Sequence, residues 1–173
     1  MKKFIYVLLL LAFGSSAIFA QTKKVTKETV KTSEVQVVER EKFDPARVAA
    51  DDLKNAIAKA QKENKRIILD VGGEWCGWCR LMDNYLIKNV ELGKLRDDNF
   101  VWVKINFSEE NENKEFLAAY PAVTGYPHLL VLDKDGKLLH SQNTSELEEA
   151  KGYNLQKFTA FLTEWSPPKA AVK

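Results

Sequence analysis

The sequence predicts an α/β protein: a central mixed β-sheet with an antiparallel hairpin at one edge and helices on both faces. Three observations lead there. Short apolar runs suited to buried strands alternate with stretches whose apolar residues recur at helical spacing. Two strand-like runs near the end are joined by the turn residues Asp133 to Gly136. Between the first strand and the second helix sits Trp75-Cys76-Gly77-Trp78-Cys79, a placement that marks chemistry rather than packing.

Taken in order, the 173-residue chain opens on Met1, Lys2 and Lys3, then an apolar run from Phe4 to Phe13, then the small residues Gly14, Ser15, Ser16 and Ala17 before Ala20. This is the layout of a secretory signal peptide. The run is about ten residues long, whereas a spanning helix needs about 20, which leaves an uncleaved anchor as the weaker alternative. Cleavage is expected after Ala20, with Ala17 second, giving a periplasmic or secreted protein without stable membrane insertion. Residues 21–42 are rich in Thr, Lys, Val and Glu without an aromatic residue, which reads as a flexible tether. Val35, Val37 and Val38 could instead add an edge strand.

The domain is expected over 43–166, with 167–173 as a tail. Asp44 and Pro45 suit an N-cap and first helical residue, followed by a stripe of Ala49, Leu53, Ala56, Ile57 and Ala60. Ile67 to Leu69 reads as a buried strand. A helix from about Cys76 to Asn89 is expected to turn Leu81, Met82, Tyr85 and Leu86 inward. In the strand Phe100 to Phe107, Val101, Val103 and Ile105 alternate with Trp102 and Lys104. A short helix around Asn113 to Tyr120, the hairpin Leu129 to Leu132 with Lys137 to His140, and a closing helix with Leu155, Phe158, Leu162 and Trp165 complete the series. Pro167 and Pro168 end it.

Composition excludes several function classes. Against 24 acidic residues stand 26 basic ones, and loss of Lys2 and Lys3 with the leader removes the excess. Nothing here attracts nucleic acid or an anionic membrane. Only two cysteines are present, three positions apart, so the chain is no disulfide-stapled scaffold.

A cysteine at a helix N-terminus has its thiolate stabilised by unpaired amides and the helix dipole, which makes Cys76 the attacking group. Cys79, one turn on, can close a disulfide with it by attacking a mixed disulfide held there. A zinc site would need more ligands, and His128 and His140 stand in no metal-ligand spacing with the pair. No metal and no organic cofactor are expected. A purely structural disulfide is the other alternative.

The chain resembles the thioredoxin superfamily, in particular its secreted bacterial members, over about residues 44 to 165, and the resemblance implies a thioredoxin-like fold. Trp75-Cys76-Gly77-Trp78-Cys79 resembles the family's Trp-Cys-Gly-Pro-Cys. Asp70 lies where the family has a buried Asp beneath the cysteines, Lys104 where it has a nearby Lys, and Gly125-Tyr126-Pro127 where it has a cis-proline loop. The resemblance implies that Asp70 takes the proton Cys79 must lose, since a buried carboxylate is costly to leave ionised. By itself Lys104 reads as a solvated strand position. A cis Pro127 would expose the backbone of Tyr126 for pairing with an extended substrate segment. Trp78 replaces the family's proline. It either packs on its own helix or joins Trp75, Gly77, Tyr126 and Pro127 in a substrate-docking surface.

These residues point to a thiol-disulfide oxidoreductase acting on protein thiols and disulfides, with a lean toward reduction and toward recharging by a membrane electron donor or other redox partner. A monomer is expected. Oxidase or isomerase work, a non-catalytic binding module and copper handling are the competing readings.

Overall fold

The structure, a computed structural model, describes residues 39–168. The expected leader, the tether up to residue 38 with Val35, Val37 and Val38, and residues 169–173 lie outside the described residues. Helix α1 (Ala49–Glu63) leads into strand β1 (Arg66–Gly72), helices α2 (Gly77–Lys88) and α3 (Val90–Asn99), strand β2 (Phe100–Asn106) and a single turn α4 (Lys114–Leu117). The hairpin β3 (His128–Leu132) and β4 (Leu138–Asn143) follows, then a 3-10 turn (Thr144–Leu147), the two-residue ladder β5 (Glu148–Glu149) and β6 (Gly152–Tyr153), and helix α5 (Leu155–Glu164).

The main sheet runs β2-β1-β3-β4, with β1 and β2 parallel and the other neighbours antiparallel. Parallel neighbours need a crossover, which α2 and α3 supply. The hairpin turns where Gly136 N–H donates to Asp133 O at 3.1 Å, with Gly136 at φ 87, a conformation open to a residue without a Cβ. The expected mixed sheet with an antiparallel edge hairpin is therefore present.

Helices cover both faces. Ile67, Leu69 and Val71 of β1, with Val101, Val103 and Ile105 of β2, pack against Ala49, Ala56 and Ala60 of α1. On the opposite face Ile68, Leu129 and Val131 meet Met82 and Leu86 of α2 and Phe158, Phe161 and Leu162 of α5. Strand residues two apart share a face, so Asp70 and Gly72 follow Ile68 into the layer that holds α2.

Several expectations need correction. Asp44 and Pro45 form a turn rather than the helix start: Asp44 Oδ1 accepts the N–H of Ala46 at 2.9 Å, and α1 begins later, after Val48. Leu81 and Leu155 are exposed, and α2 instead turns in Cys79, Met82, Asp83 and Leu86. Helix α3 was not expected at all. It follows α2 after Asn89 and comes so close that a Cβ on Gly93 would lie 2.9 Å from Leu86 O.

Candidate active site

Strand β1 ends at Gly72, and the chain turns through residues 73–75 to reach α2. Cys76 caps that helix in an extended conformation, its Sγ accepting the N–H of Cys79 at 3.1 Å. The two cysteines are joined in a disulfide with Cα atoms 5.3 Å apart. Cys79 is fully buried and Cys76 is only 5 % exposed, so in the oxidised protein it is the helix terminus, far more than exposure, that distinguishes them. Phe43 and the two cysteines form one buried cluster, and Tyr126 packs against it. Gly72 is small because it must be: a Cβ there would stand 2.6 Å from Cys79 Sγ.

Two positions down β1, about 7 Å along the strand, Asp70 is completely buried in the strand interior, since β1 continues past the expected run Ile67 to Leu69 as far as Gly72. The parallel register places it directly beside Lys104. Lys104 Nζ donates to Asp70 Oδ2 at 2.8 Å, and Trp102 Nε1–H donates to the same oxygen at 3.1 Å. Asp70 Oδ1 has no hydrogen-bond partner among the described residues. Lys104 is itself buried, contrary to its reading as a solvated strand position, because α2 lies over that face.

Lys104 Nζ also donates to Asp83 Oδ1 at 2.7 Å. One ammonium therefore faces two buried carboxylates. Burial works against charge on Lys104, but Asp70 and Asp83 outweigh it and hold the ammonium above its ordinary value. Burial pushes the Asp83 carboxyl up despite Lys104 and Arg40, with Asp70 adding repulsion, so Asp83 takes up a proton more readily than an ordinary carboxylate.

At the surface, Trp75 is 58 % exposed; its Nε1–H donates to Phe107 O at 2.6 Å and its ring meets Tyr126 edge-on at 5.5 Å. Tyr126 stacks on Phe107 at 5.0 Å. Trp78, partly exposed, meets the ring of Tyr153 edge-on at 5.8 Å. Gly77 opens α2 in free space. The Tyr126-Pro127 bond is cis, and Pro127 O accepts from Thr144 Oγ1 at 2.6 Å.

Asp83, Glu74, Arg40 and Phe43 belong to the same assembly and were not singled out from the sequence. Asp83 was findable, since Cys79, Met82, Asp83 and Leu86 follow one helical face. Arg40, expected in the tether, is tied to Glu74 and Asp83. Among the described residues no cluster of His, Cys, Asp or Glu is placed to hold a metal ion. His128 instead pairs with Ser141 at 2.8 Å, and His140 stacks on Trp165 at 4.5 Å.

Residues 47–134, just over half of the chain, match the family model described as thioredoxin-like. The chain belongs to that thioredoxin-like family. Spermatogenesis-associated protein 20 of Homo sapiens is 44 % identical over 54 residues, covering 31 % of this chain and 7 % of that protein. Disulfide bond reductase DsbH of Chlamydia pneumoniae is 29 % identical over 93 residues, 49 % of this chain and 55 % of that one. The chain thus spans only a small part of the first relative and about half of the second. The crystal structure of a disulphide isomerase from Xylella fastidiosa superposes with a TM-score of 0.61 at 27 % identity, covering 70 % of this chain and 94 % of that one.

Proposed function

We propose that this protein is a secreted thiol-disulfide oxidoreductase that reduces disulfides in other proteins. The observation that carries the reading is the Cys76–Cys79 disulfide at the N-terminus of α2, above a buried carboxylate pair and beside an exposed aromatic rim. The similarity to a disulfide bond reductase over half the chain supports the direction. The basic start and apolar run of residues 1–20 support a periplasmic or extracellular setting.

In the reduced protein the Cys76 thiolate attacks one sulfur of a substrate disulfide, forming a mixed disulfide and expelling the other substrate sulfur as a thiolate. Cys79 then gives its proton to Asp70 and attacks Cys76 Sγ. The second substrate sulfur leaves, and the Cys76–Cys79 disulfide forms. Two electrons have passed from the dithiol to the substrate, and a dithiol donor, membrane-borne or soluble, restores the couple by the same exchange. Trp75 and Tyr126 offer the apolar surface on which an extended substrate segment lies, with the backbone before Pro127 as its pairing edge. No cofactor takes part in this sequence, and the protein acts as a monomer.

Replacing Cys79 by Ser tests the reading, because Cys76 can then attack but the mixed disulfide cannot resolve. Larger species that collapse on adding dithiothreitol are the expected result in the native host. A Cys79→Ser protein that captures nothing contradicts the mechanism and favours a binding module.

A further inference from the structure

Arg40 lies outside the residues that match the family model, yet it reaches both flanks of the cysteine pair. Its Nη1 donates to Glu74 Oε1 at 2.9 Å and to Asp83 Oδ2 at 3.1 Å, and Nη2 donates to the second Glu74 oxygen. Glu74 stands two residues before Cys76, and Asp83 one helical turn after Cys79. Glu74 Oε1 also accepts the N–H of Phe43 at 2.9 Å. Phe43 is 3 % exposed, shares the buried cluster of the two cysteines and lays its ring 4.2 Å from Lys104 Nζ. The segment from Arg40 to Phe43 is therefore a strap with an ionic anchor on Glu74 and Asp83, which flank the cysteine pair in sequence, and an aromatic anchor in the cluster that holds the disulfide.

The charges of the assembly show what the ionic anchor does. Asp83 faces Lys104 from β2, Asp70 from β1 and Arg40 from the strap, with the Tyr153 ring nearby on β6. Cys76 shares a buried cluster with Cys79 and Phe43, against which Tyr126 packs, with Glu74 just before it in the chain and the Arg80 guanidinium on the Glu74 carbonyl. Lys104 faces both Asp70 and Asp83, and the Arg80 guanidinium of α2 donates to the Glu74 carbonyl oxygen, whereas Arg40 pairs with the carboxylates of Glu74 and Asp83 themselves. Without the Arg40 guanidinium the surroundings of Cys76 become more negative, and a nearby negative charge disfavours a thiolate.

We propose that Arg40 is a positioning residue for the Cys76–Cys79 couple: by bridging Glu74 and Asp83 it supplies the positive charge that keeps the Cys76 thiolate accessible near neutral pH. The inference rests on the oxidoreductase reading and deepens it, because it makes the segment preceding the family domain part of the redox site.

The test is a pH titration of the thiolate absorbance in the reduced full chain, which needs no substrate. Arg40→Gln is expected to raise the midpoint by about half a pH unit or more, roughly a threefold loss of thiolate below the midpoint. Arg40→Lys, which keeps the charge and loses the fork, should recover most of that shift. Glu74→Gln should move the midpoint down, and it carries the test should Arg40→Gln fail to fold. An unchanged midpoint in Arg40→Gln overturns the proposal, as does an equal shift in Arg40→Lys or an unmoved or raised midpoint in Glu74→Gln. Turnover of a protein disulfide by the wild type is measured in parallel. Its absence sinks the oxidoreductase reading, whereas normal turnover with an unmoved titration sinks only the role of Arg40.

Discussion

Gly72→Ala adds one methyl group at the point where β1 passes beneath the disulfide. The new Cβ would lie 2.6 Å from Cys79 Sγ and 3.0 Å from Phe43 Cζ, whereas comfortable contact begins at about 3.5 Å. Neither neighbour yields easily, since Sγ is held by its bond to Cys76 and Phe43 is buried. Overpacking of this kind costs about 1–3 kcal/mol. The 2.6 Å overlap puts the cost in the upper part of that range, about 2–3 kcal/mol, and alanine at an extended position returns about 0.4–1 kcal/mol through the unfolded chain, which leaves a net loss of about 1–2 kcal/mol. At about 4 °C per kcal/mol for a domain of this size, the oxidised variant should melt about 4–8 °C below the wild type. Reduction frees Cys79 Sγ to rotate, so the difference should shrink in dithiothreitol. Calorimetry on both proteins in both redox states reads this directly. An oxidised Gly72→Ala protein that melts with the wild type, or a loss that reduction does not diminish, would refute the placement of Cys79 against the strand.

Lys104→Met leaves Asp70 and Asp83 buried without their ammonium, a loss of about 3–5 kcal/mol. In the wild type this contribution is complete below the ordinary Lys value of 10.5 and is lost as pH rises through the higher value that Lys104 has when folded. In the variant the loss should shrink toward acid pH, where Asp83 accepts a proton most readily; denaturant midpoints that show the same loss in mildly acid and mildly alkaline buffer contradict this. Trp75→Ala should change stability by no more than about 0.5 kcal/mol, because the side chain is mostly exposed. It should raise the KM for a protein disulfide several-fold with less effect on kcat, and more than Trp78→Ala does; steady-state kinetics showing a loss confined to kcat would remove Trp75 from the docking surface.

The succession of the main strands along the chain and the placement of Cys76 and Cys79 at a helix start were legible because periodicity and motif placement are local properties of the chain. Lys104 was not legible in the same way. Alternation sets it opposite Val103 and Ile105, and that pattern is shared by a half-exposed strand and by one covered on both faces. Only tertiary packing, with α2 lying over the strand, makes it a buried partner of Asp70. The cis bond before Pro127 followed from the family resemblance alone, since most X-Pro bonds are trans. The hydropathy of Leu81 alone points it inward, whereas the register fixed by Cys79 and Met82 turns in Asp83. Helix α3 leaves little mark in the sequence because few of its residues are buried, Leu92 and Gly93 among them. Arg40 was hidden by the polar composition around it, which carries no trace of partners 34 and 43 positions away.

The most direct test of the central claim is the rate at which the full chain reduces a protein disulfide when supplied with a dithiol electron donor, compared with Cys76→Ser and with the variant lacking both cysteines. Multiple turnovers by the wild type and none by either variant are predicted. Equal activity in all three would show that the disulfide is incidental and the reading of this site as a redox centre is wrong.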